Sequence, residues 1–262
     1  IYSYPEFIHD QSKLKKRVVI GGSHGKTTIT SMILHVLDAC NLPCDYMVGA
    51  QLEGFEVMTK LTDDASCIII EGDEYLTSPL DRRPKFHVYK PDIGLISGIA
   101  WDHVNVFPTF ENYVEQFQVF ADMIPSEGAL IYCNEDAHCV HIASKTKTKH
   151  KIPYALPEYR IENGKYYVLL QDKEYLLQVF GKHNLLNVNA ACKVCACLGI
   201  TNEDFFTAIQ SFKGASKRLE RVYEDDEKAM YKDFAHSPSK LKATINAVKE
   251  KYPNRQLVAC VE

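Results

Sequence analysis

A glycine-rich segment that also carries a lysine and two threonines is suited to binding phosphate. It reads Gly21-Gly22-Ser23-His24-Gly25-Lys26-Thr27-Thr28. Backbone N–H groups of such a loop converge on one anion, and the helix that follows adds the partial positive charge of its N-terminus. Lys26 can neutralise the β- and γ-phosphates of a nucleotide, and the Thr27 hydroxyl can hold Mg²⁺. The loop is shorter than the common G-x-x-x-x-G-K-[ST] pattern because position 20 is isoleucine, and an ordinary strand-to-helix turn is the alternative.

An acidic segment, Glu71-Gly72-Asp73-Glu74, directly follows the apolar residues 67–70. Ligands of an open α/β sheet bind at the carboxyl ends of its strands, so we expect this segment beside the glycine-rich loop. A bound triphosphate needs a divalent cation, and Mg²⁺ prefers oxygen ligands. We therefore predict Glu71 as a Mg²⁺ ligand, with Asp73 and Glu74 as weaker candidates. The alternative is a solvated acidic turn.

The pair Asp102-His103 follows a third apolar run, residues 93–99, and so reaches the same edge of the sheet. We predict a metal or phosphate role for His103 from this position. The alternative is a satisfied polar histidine, because Mg²⁺ is seldom bound by imidazole.

The elements that must position these residues alternate between strand and helix. Apolar residues spaced by three and four predict helices after the first and third strands. Such alternation indicates a mostly parallel sheet with helices on its faces. The predicted strands are residues 17–22, 67–70, 93–99 and 129–133, and the helices begin near Lys26 and Phe110.

The pattern changes after Pro153. The dipeptide Asn163-Gly164 predicts a two-residue hairpin turn, and residues 174–180 add a third strand to a small antiparallel meander. Helices are predicted at 183–198 and 203–212, followed by a hinge at 213–216. We expect a second α/β unit beyond it, with strands at 219–223, 229–234 and 256–261 and a helix at 238–251.

Composition excludes several classes of protein. The chain has 262 residues, 46% of them hydrophobic and 24% charged, which are ordinary globular values. A net charge of −4 gives no electrostatic reason to propose a nucleic-acid partner, and no apolar run is long enough for membrane insertion. The nine cysteines and the lack of a secretion signal favour a reducing, cytoplasmic location. Cys192, Cys195 and Cys197 are interpreted as packing residues of a buried helix, with a metal site as the alternative.

Five segments in order make the chain similar to the central domain of the Mur ligase family, the ATP-dependent amide-forming enzymes of peptidoglycan synthesis. They are residues 22–28, residues 71–74, Asp102-His103, His183-Asn184-Leu185-Leu186-Asn187 and Asp233-Phe234-Ala235-His236. The resemblance implies an α/β fold: a P-loop central domain with a mostly parallel sheet and a small meander, then the start of a Rossmann-like C-terminal domain. It also implies that the chain is a fragment, with a linker from a missing N-terminal domain at 1–16, the central domain at 17–214, and a truncated C-terminal domain at 215–262.

The resemblance implies ATP and Mg²⁺ as cofactors and assigns the site residues. Catalytic roles fall on Lys26, His103 and His236, and Mg²⁺ binding falls on Thr27, Glu71 and His103. The remaining assignments are the phosphate-binding loop Gly22, Ser23, His24, Gly25, Lys26, Thr27 and Thr28; Asn184 and Asn187 at adenine; Arg218 at phosphate; and Asp233 at ribose. Lys232 and Ser237 stand where the family commonly has an acid and a histidine, so no acceptor role is carried to them.

Two features of the sequence bear on which branch of the family, and therefore which acceptor substrate, the chain resembles. Several family members carry a carbamylated lysine where this chain has Phe117, and the L-alanine-adding and tripeptide-recycling branches lack it. The stretch 81–91 resembles the muropeptide ligase, which joins UDP-N-acetylmuramate to L-alanyl-γ-D-glutamyl-meso-diaminopimelate. We favour that ligase, and the alternative is UDP-N-acetylmuramate–L-alanine ligase. In the structural alternative, residues 82–85 are only a solvated basic loop.

Two alternatives of other kinds stay open. One is a nucleotide-binding regulatory module without ligase activity. The other is folate polyglutamate synthesis, which Phe117 and the stretch 82–91 count against. The isolated fragment is expected to be inactive under every interpretation.

Overall fold

The computed structural model describes residues 1–49, 57–102, 104–235 and 237–261. Its helices are α1 (Tyr4–Gln11), α2 (Lys26–Ala39), α3 (Lys85–Val88), α4 (Phe110–Asp122), α5 (Ala137–Lys145), α6 (Lys182–Cys197), α7 (Asn202–Ile209) and α8 (Pro238–Lys251). Its strands are β1 (Lys16–Gly21), β2 (Asp45–Met47), β3 (Thr59–Lys60), β4 (Cys67–Glu71), β5 (Ile93–Ile96), β6 (Ala129–Cys133), β7 (His150–Tyr154), β8 (Tyr159–Glu162), β9 (Lys165–Leu170), β10 (Lys173–Leu177), β11 (Glu220–Glu224) and β12 (Ala229–Lys232).

The larger sheet positions the site. Its strands lie in the order β3-β2-β4-β1-β5-β6-β7, and neighbours pair in parallel except β2 with β3. Val18 of β1 pairs with Ile69 of β4 and with Ile93 of β5, so these three strands are direct neighbours. The predicted mostly parallel α/β sheet is confirmed, and the glycine-rich loop, the acidic segment and the segment after β5 leave one edge of it.

The central strands are buried on both faces. Val18, Val19 and Ile20 of β1 and residues 68–70 of β4 are fully buried, and side chains of successive strand residues point to opposite faces. Such runs are typical of parallel strands covered by helices on each side. Helices α2 and α6 pack together, while α4 packs on β5 and on α3. The core therefore holds the carboxyl ends of β1, β4 and β5 in fixed register.

Two smaller sheets are antiparallel. Strands β8, β9 and β10 form the predicted meander, and Asn163 and Gly164 take φ values of 50° and 71° in its first turn. This confirms the two-residue turn, because such turns need positive φ at both central residues. Strands β11 and β12 pair as a hairpin that precedes α8.

The two chain ends differ in detail from the sequence expectations. Residues 1–16, predicted as a linker, contain α1, which begins with a capping box between Ser3 and Glu6 and buries Ile8. Residues 256–261 form no strand, and their side chains are exposed. A strand needs a pairing partner, and the described part of the chain offers none to this segment. The expected β-α-β step is therefore a hairpin and a helix.

Several short elements were not predicted: β2, β3, β7, α3 and α5. Strand β7 contains Pro153 and exposed lysine and histidine side chains, features of an edge strand that mask its pattern in sequence. Among the described residues, no helix has the length and apolar character needed to cross a bilayer.

Candidate functional site

The glycine-rich loop joins β1 to α2 in a backbone conformation that requires glycine. Gly22 has φ of 122°, and a Cβ atom there would lie 2.2 Å from Ser97 Oγ. Gly25 has φ of 78°, and a Cβ atom there would lie 2.4 Å from Asn187 Oδ1. Helix α2 begins directly after Gly25, and Ile29 N donates to Gly25 O at 2.8 Å. The loop is thus packed between α6 and the segment after β5, at the N-terminus of α2, a geometry suited to an anion.

Lys26 lies at the first position of α2 with its ammonium group inside the site. Its Nζ donates to Glu74 Oε2 at 2.6 Å and to Gly22 O at 2.8 Å. Burial acts to lower the Lys26 pKa, but the charge and hydrogen bond of Glu74 and the charges of Glu71 and Asp73 outweigh it, so the pKa is raised. Lys26 is therefore a fixed positive charge at neutral pH.

Thr27 and Glu71 form a pair of oxygen donors. Thr27 Oγ1 donates to Glu71 Oε1 at 2.8 Å, and Glu71 Oε2 accepts from Gly49 N at 2.9 Å. A hydroxyl and a carboxylate at adjoining strand and helix ends fit the oxygen preference of Mg²⁺. The structure thus brings together the two described residues predicted to bind the metal.

The segment after β5 contacts the glycine-rich loop through hydrogen bonds. Ser97 Oγ donates to His24 O, and Ala100 N donates to Ser23 Oγ at 3.0 Å. Asp102 Oδ2 lies 3.2 Å from Lys240 Nζ of α8. Asp102 therefore faces the C-terminal part of the chain. Two predicted catalytic residues, His103 and His236, lie outside the described residues.

His24 is a partly buried member of the loop. Its Nε2 lies 3.2 Å from Ser239 Oγ of α8, and its Nδ1 is buried without a hydrogen-bond partner. Burial lowers the His24 pKa, the positive charges of Lys240 and Lys26 lower it further, and Asp102 opposes them. The imidazole is therefore neutral at physiological pH.

Helix α6 supplies the two asparagines predicted to contact adenine. Asn184 is buried and its Nδ2 donates to Phe180 O at 2.9 Å. Asn187 is buried with its Oδ1 against Gly25. Burial lowers the pKa of the neighbouring His183, and the charge of Asp233 partly offsets it. The structure thus places both asparagines against the glycine-rich loop or its cavity.

The C-terminal part of the chain completes the cavity. Arg218 NH1 donates to Phe234 O at 3.3 Å, and its guanidinium lies 5.3 Å from the Phe234 ring centre. Asp233 accepts from Leu219 N at 3.0 Å and from the Thr244 hydroxyl, so its carboxylate is oriented before any ligand arrives. A cavity of about 270 Å³ is lined by residues 23–28, Glu71, Asp102, Asn184, Asn187, Arg218 and Asp233. A larger cavity of about 730 Å³ adjoins it and shares Thr28, Asn184, Arg218 and Leu219.

Sequence reasoning missed Tyr113 and treated Glu74 as a weaker candidate. Tyr113 lies on α4, fully buried, and its hydroxyl contacts both Ser23 and Glu74. In the sequence it is one apolar-face residue among several on a predicted helix, and nothing there indicates a polar contact. The neighbouring Phe117 is also fully buried, with its ring 5.2 Å from Tyr113 and 5.4 Å from Phe86.

The cysteines are all free thiols. Cys192 and Cys195 are buried on α6, as the packing interpretation expects, and burial raises their pKa values. The part of the chain that the structure describes contains no group of three or more histidine, cysteine or acidic side chains placed to hold a metal ion. The alternative of a thiol metal site therefore has no geometric support within those residues.

Comparisons with known proteins identify the family of the chain. Residues 20–195 match the family model of the Mur ligase middle domain. The UDP-N-acetylmuramate–L-alanine ligase of Caldicellulosiruptor saccharolyticus is 32% identical, over 95% of this chain and 56% of the relative. The UDP-N-acetylmuramate–L-alanyl-gamma-D-glutamyl-meso-2,6-diaminoheptandioate ligase of Haemophilus influenzae is 29% identical, over 95% of this chain and 57% of the relative. The chain thus spans little more than half the length of these curated relatives.

Solved structures share the fold. The UDP-N-acetylmuramate:L-alanyl-gamma-D-glutamyl-meso-diaminopimelate ligase of Neisseria meningitides has a TM-score of 0.72 at 24% identity, covering 80% of this chain and 70% of that one. The UDP-N-acetylmuramate-alanine ligase of Thermotoga maritima has a TM-score of 0.74 at 20% identity, covering 95% and 57%. Since the family model matches well over half of the chain and the folds agree, the chain belongs to the Mur ligase family, through its middle domain.

Proposed function

We propose that the protein containing this chain is an ATP-dependent ligase that joins a carboxylate to an amine in peptidoglycan synthesis or recycling. The observation that carries the proposal is the meeting of Lys26, Thr27 and Glu71 at the adjoining ends of β1 and β4. A charged lysine and an oxygen pair suited to Mg²⁺ at a helix N-terminus are the groups that a magnesium-bound triphosphate needs.

Each described site residue has a role in this proposal. Thr27 and Glu71 would hold Mg²⁺, which supplies positive charge that offsets the phosphates. Backbone N–H groups of the loop 22–28 would donate to the phosphates, apart from Ser23 N, which donates to Gly98 O at 2.9 Å. Lys26 would add its ammonium. Asn184 and Asn187 would contact the adenine. Arg218 would contact a phosphate, and Asp233 would bind the ribose. His103 and His236 stay predictions.

The proposed reaction activates a carboxylate by phosphorylation. The lactyl carboxylate of UDP-N-acetylmuramate attacks the γ-phosphorus of ATP, which gives an acyl phosphate and ADP. The acceptor amine then attacks the acyl carbon, and the tetrahedral intermediate expels inorganic phosphate. Two anions must approach each other in the first step, so the fixed positive charge of Lys26 stabilises that transition state.

For the acceptor we propose L-alanyl-γ-D-glutamyl-meso-diaminopimelate. The support is the resemblance of the stretch 81–91 to the muropeptide ligase. Within this stretch Arg82 and Arg83 are exposed, as the solvated-loop alternative expects. Lys85 instead lies 2.6 Å from Asp73 of the acidic segment. The second candidate acceptor is L-alanine, because several similar curated relatives are named as L-alanine ligases. We place the reaction in the cytoplasm, in keeping with nine free thiols.

The test is a competition assay with the full-length protein. It would receive ATP, Mg²⁺, UDP-N-acetylmuramate, and equal concentrations of L-alanine and the tripeptide, with products resolved by mass spectrometry. We expect the tripeptide amide to dominate, and we expect the Lys26→Ala variant to form either product about a hundredfold or more slowly. Dominant L-alanine product would select the second acceptor. Binding of ATP with no amide product would contradict the ligase and indicate a regulatory nucleotide-binding module.

A further inference from the structure

Lys26 is not directed at open space in this structure. Its ammonium donates to Glu74 Oε2 at 2.6 Å and to Gly22 O at 2.8 Å. The Glu74 side chain is 1% exposed and that of Lys26 is 16% exposed, so the ion pair is largely shielded from water. An arriving phosphate must therefore compete with a buried carboxylate for the lysine.

Tyr113 fixes Glu74 in this position. The buried Tyr113 hydroxyl donates to Glu74 Oε1 at 3.0 Å. Ser23 Oγ lies 2.9 Å from the Tyr113 hydroxyl oxygen and accepts from Ala100 N at 3.0 Å. Because the single hydroxyl proton of Tyr113 is donated to Glu74, the Ser23 hydroxyl is the donor to Tyr113. Both oxygens of Glu74 are thus engaged, one by Tyr113 and one by Lys26. The carboxylate is positioned by groups from the loop, from α4 and from the segment after β5.

The charge around the lysine is net negative. Glu71, Asp73 and Glu74 all interact electrostatically with Lys26, and the lysine is bonded to Glu74. The negative charge of Asp73 is balanced by Lys85, whose Nζ lies 2.6 Å from Asp73 Oδ2. A polyphosphate without metal would meet a neutralised lysine and the carboxylates of Glu71 and Glu74. A divalent cation at Thr27 and Glu71 reverses this balance.

We propose that Glu74, held by Tyr113, is a positioning residue that makes polyphosphate binding at Lys26 depend on Mg²⁺. The inference rests on the proposed function, because it requires the site to bind ATP. Without Mg²⁺, the Glu74 carboxylate stays paired with the Lys26 ammonium and repels the phosphates. With Mg²⁺ present, the added charge offsets that repulsion, and Lys26 can contact phosphate while Glu74 keeps its bond to Tyr113.

The test measures the ratio of ATP dissociation constants in EDTA and in Mg²⁺, by calorimetry on the full-length protein. Glu74→Gln removes the charge and keeps the shape, so ATP binding in EDTA should strengthen at least about tenfold. A unit like charge as far as about 12 Å from the phosphates already opposes binding by about 1.4 kcal/mol at an effective dielectric constant of about 20. Binding in Mg²⁺ should change less, and the ratio should fall. Tyr113→Phe should lower the ratio in the same direction by a smaller factor. The control Glu127→Gln removes an equal charge from an exposed site paired with Lys149 and should leave the ratio unchanged.

The outcomes separate the inference from the proposed function. If the wild-type protein binds ATP in Mg²⁺ but Glu74→Gln leaves the ratio unchanged, the role of Glu74 is refuted and the ligase proposal stands. If the wild-type protein binds no ATP even with Mg²⁺, both fail. Should Glu74→Gln not fold, as judged by circular dichroism, Tyr113→Phe decides, and an unchanged ratio there also refutes the inference.

Discussion

Replacing Gly25 by alanine separates the conformational role of the loop from its binding role. Gly25 has φ of 78°, and an added Cβ would lie 2.4 Å from Asn187 Oδ1. Gly199, after the end of α6, has φ of 92° but nothing within 4 Å of its added Cβ. The two positions share backbone strain and differ in steric contact, so Gly199→Ala is the matched control.

The expected magnitudes follow from these contacts. A left-handed alanine costs about 1–2 kcal/mol at either position. At Gly25 the displacement of Asn187 adds about 1–3 kcal/mol, as overpacking does elsewhere. Since each kcal/mol lowers Tm by about 2–4 °C for a domain of about 150–250 residues, the domain that holds the loop should unfold about 2–12 °C lower in Gly25→Ala than in Gly199→Ala. Its ATP affinity in Mg²⁺ should fall on the order of tenfold, equivalent to about 1.4 kcal/mol, because both Asn187 and the loop shift.

The assay combines thermal unfolding with calorimetric ATP titration of the full-length protein. Gly199→Ala should bind ATP as the wild-type protein does, since Gly199 lies outside both cavities. Equal Tm values for the two variants would refute the steric argument. Wild-type ATP affinity in Gly25→Ala would refute the placement of the nucleotide at this loop.

Three further predictions concern the same site and the histidines. Lys26→Ala in the full-length protein should lower the ligation rate by about a hundredfold or more, and near-normal turnover would contradict its role. Thr27→Val should weaken ATP binding about tenfold in Mg²⁺ and leave binding in EDTA unchanged, which calorimetry can distinguish. Burial lowers the pKa values of His24 and His87, so below the ordinary histidine pKa of about 6.5 the unfolded chain binds more protons than the folded one. The free energy of unfolding should therefore decrease as the pH falls from about 7.5 to about 5.5, and a flat profile in urea denaturation would contradict this.

Most of the fold could be predicted because its signals are local. Apolar runs predicted β1, β4 and β6, apolar spacing predicted α2 and α4, and Asn163-Gly164 predicted the turn between β8 and β9. Elements without such a signal were missed or misassigned. Helix α1 depends on a capping contact and one buried isoleucine, and residues 256–261 have a strand-like pattern but no strand beside them.

For the site, the sequence alone determined which residue types stand at the ends of which strands. That was enough to predict Lys26, Thr27 and Glu71 as a group, because parallel neighbours end at one edge. Only the tertiary structure decided what each side chain contacts: that Glu74 pairs with Lys26, that Tyr113 fixes Glu74, and that Ser239 and Lys240 of α8 reach His24 and Asp102. These contacts join residues from 39 to 215 positions apart. Their geometry depends on how distant helices and strands pack together, so it cannot be predicted from any local pattern in the sequence.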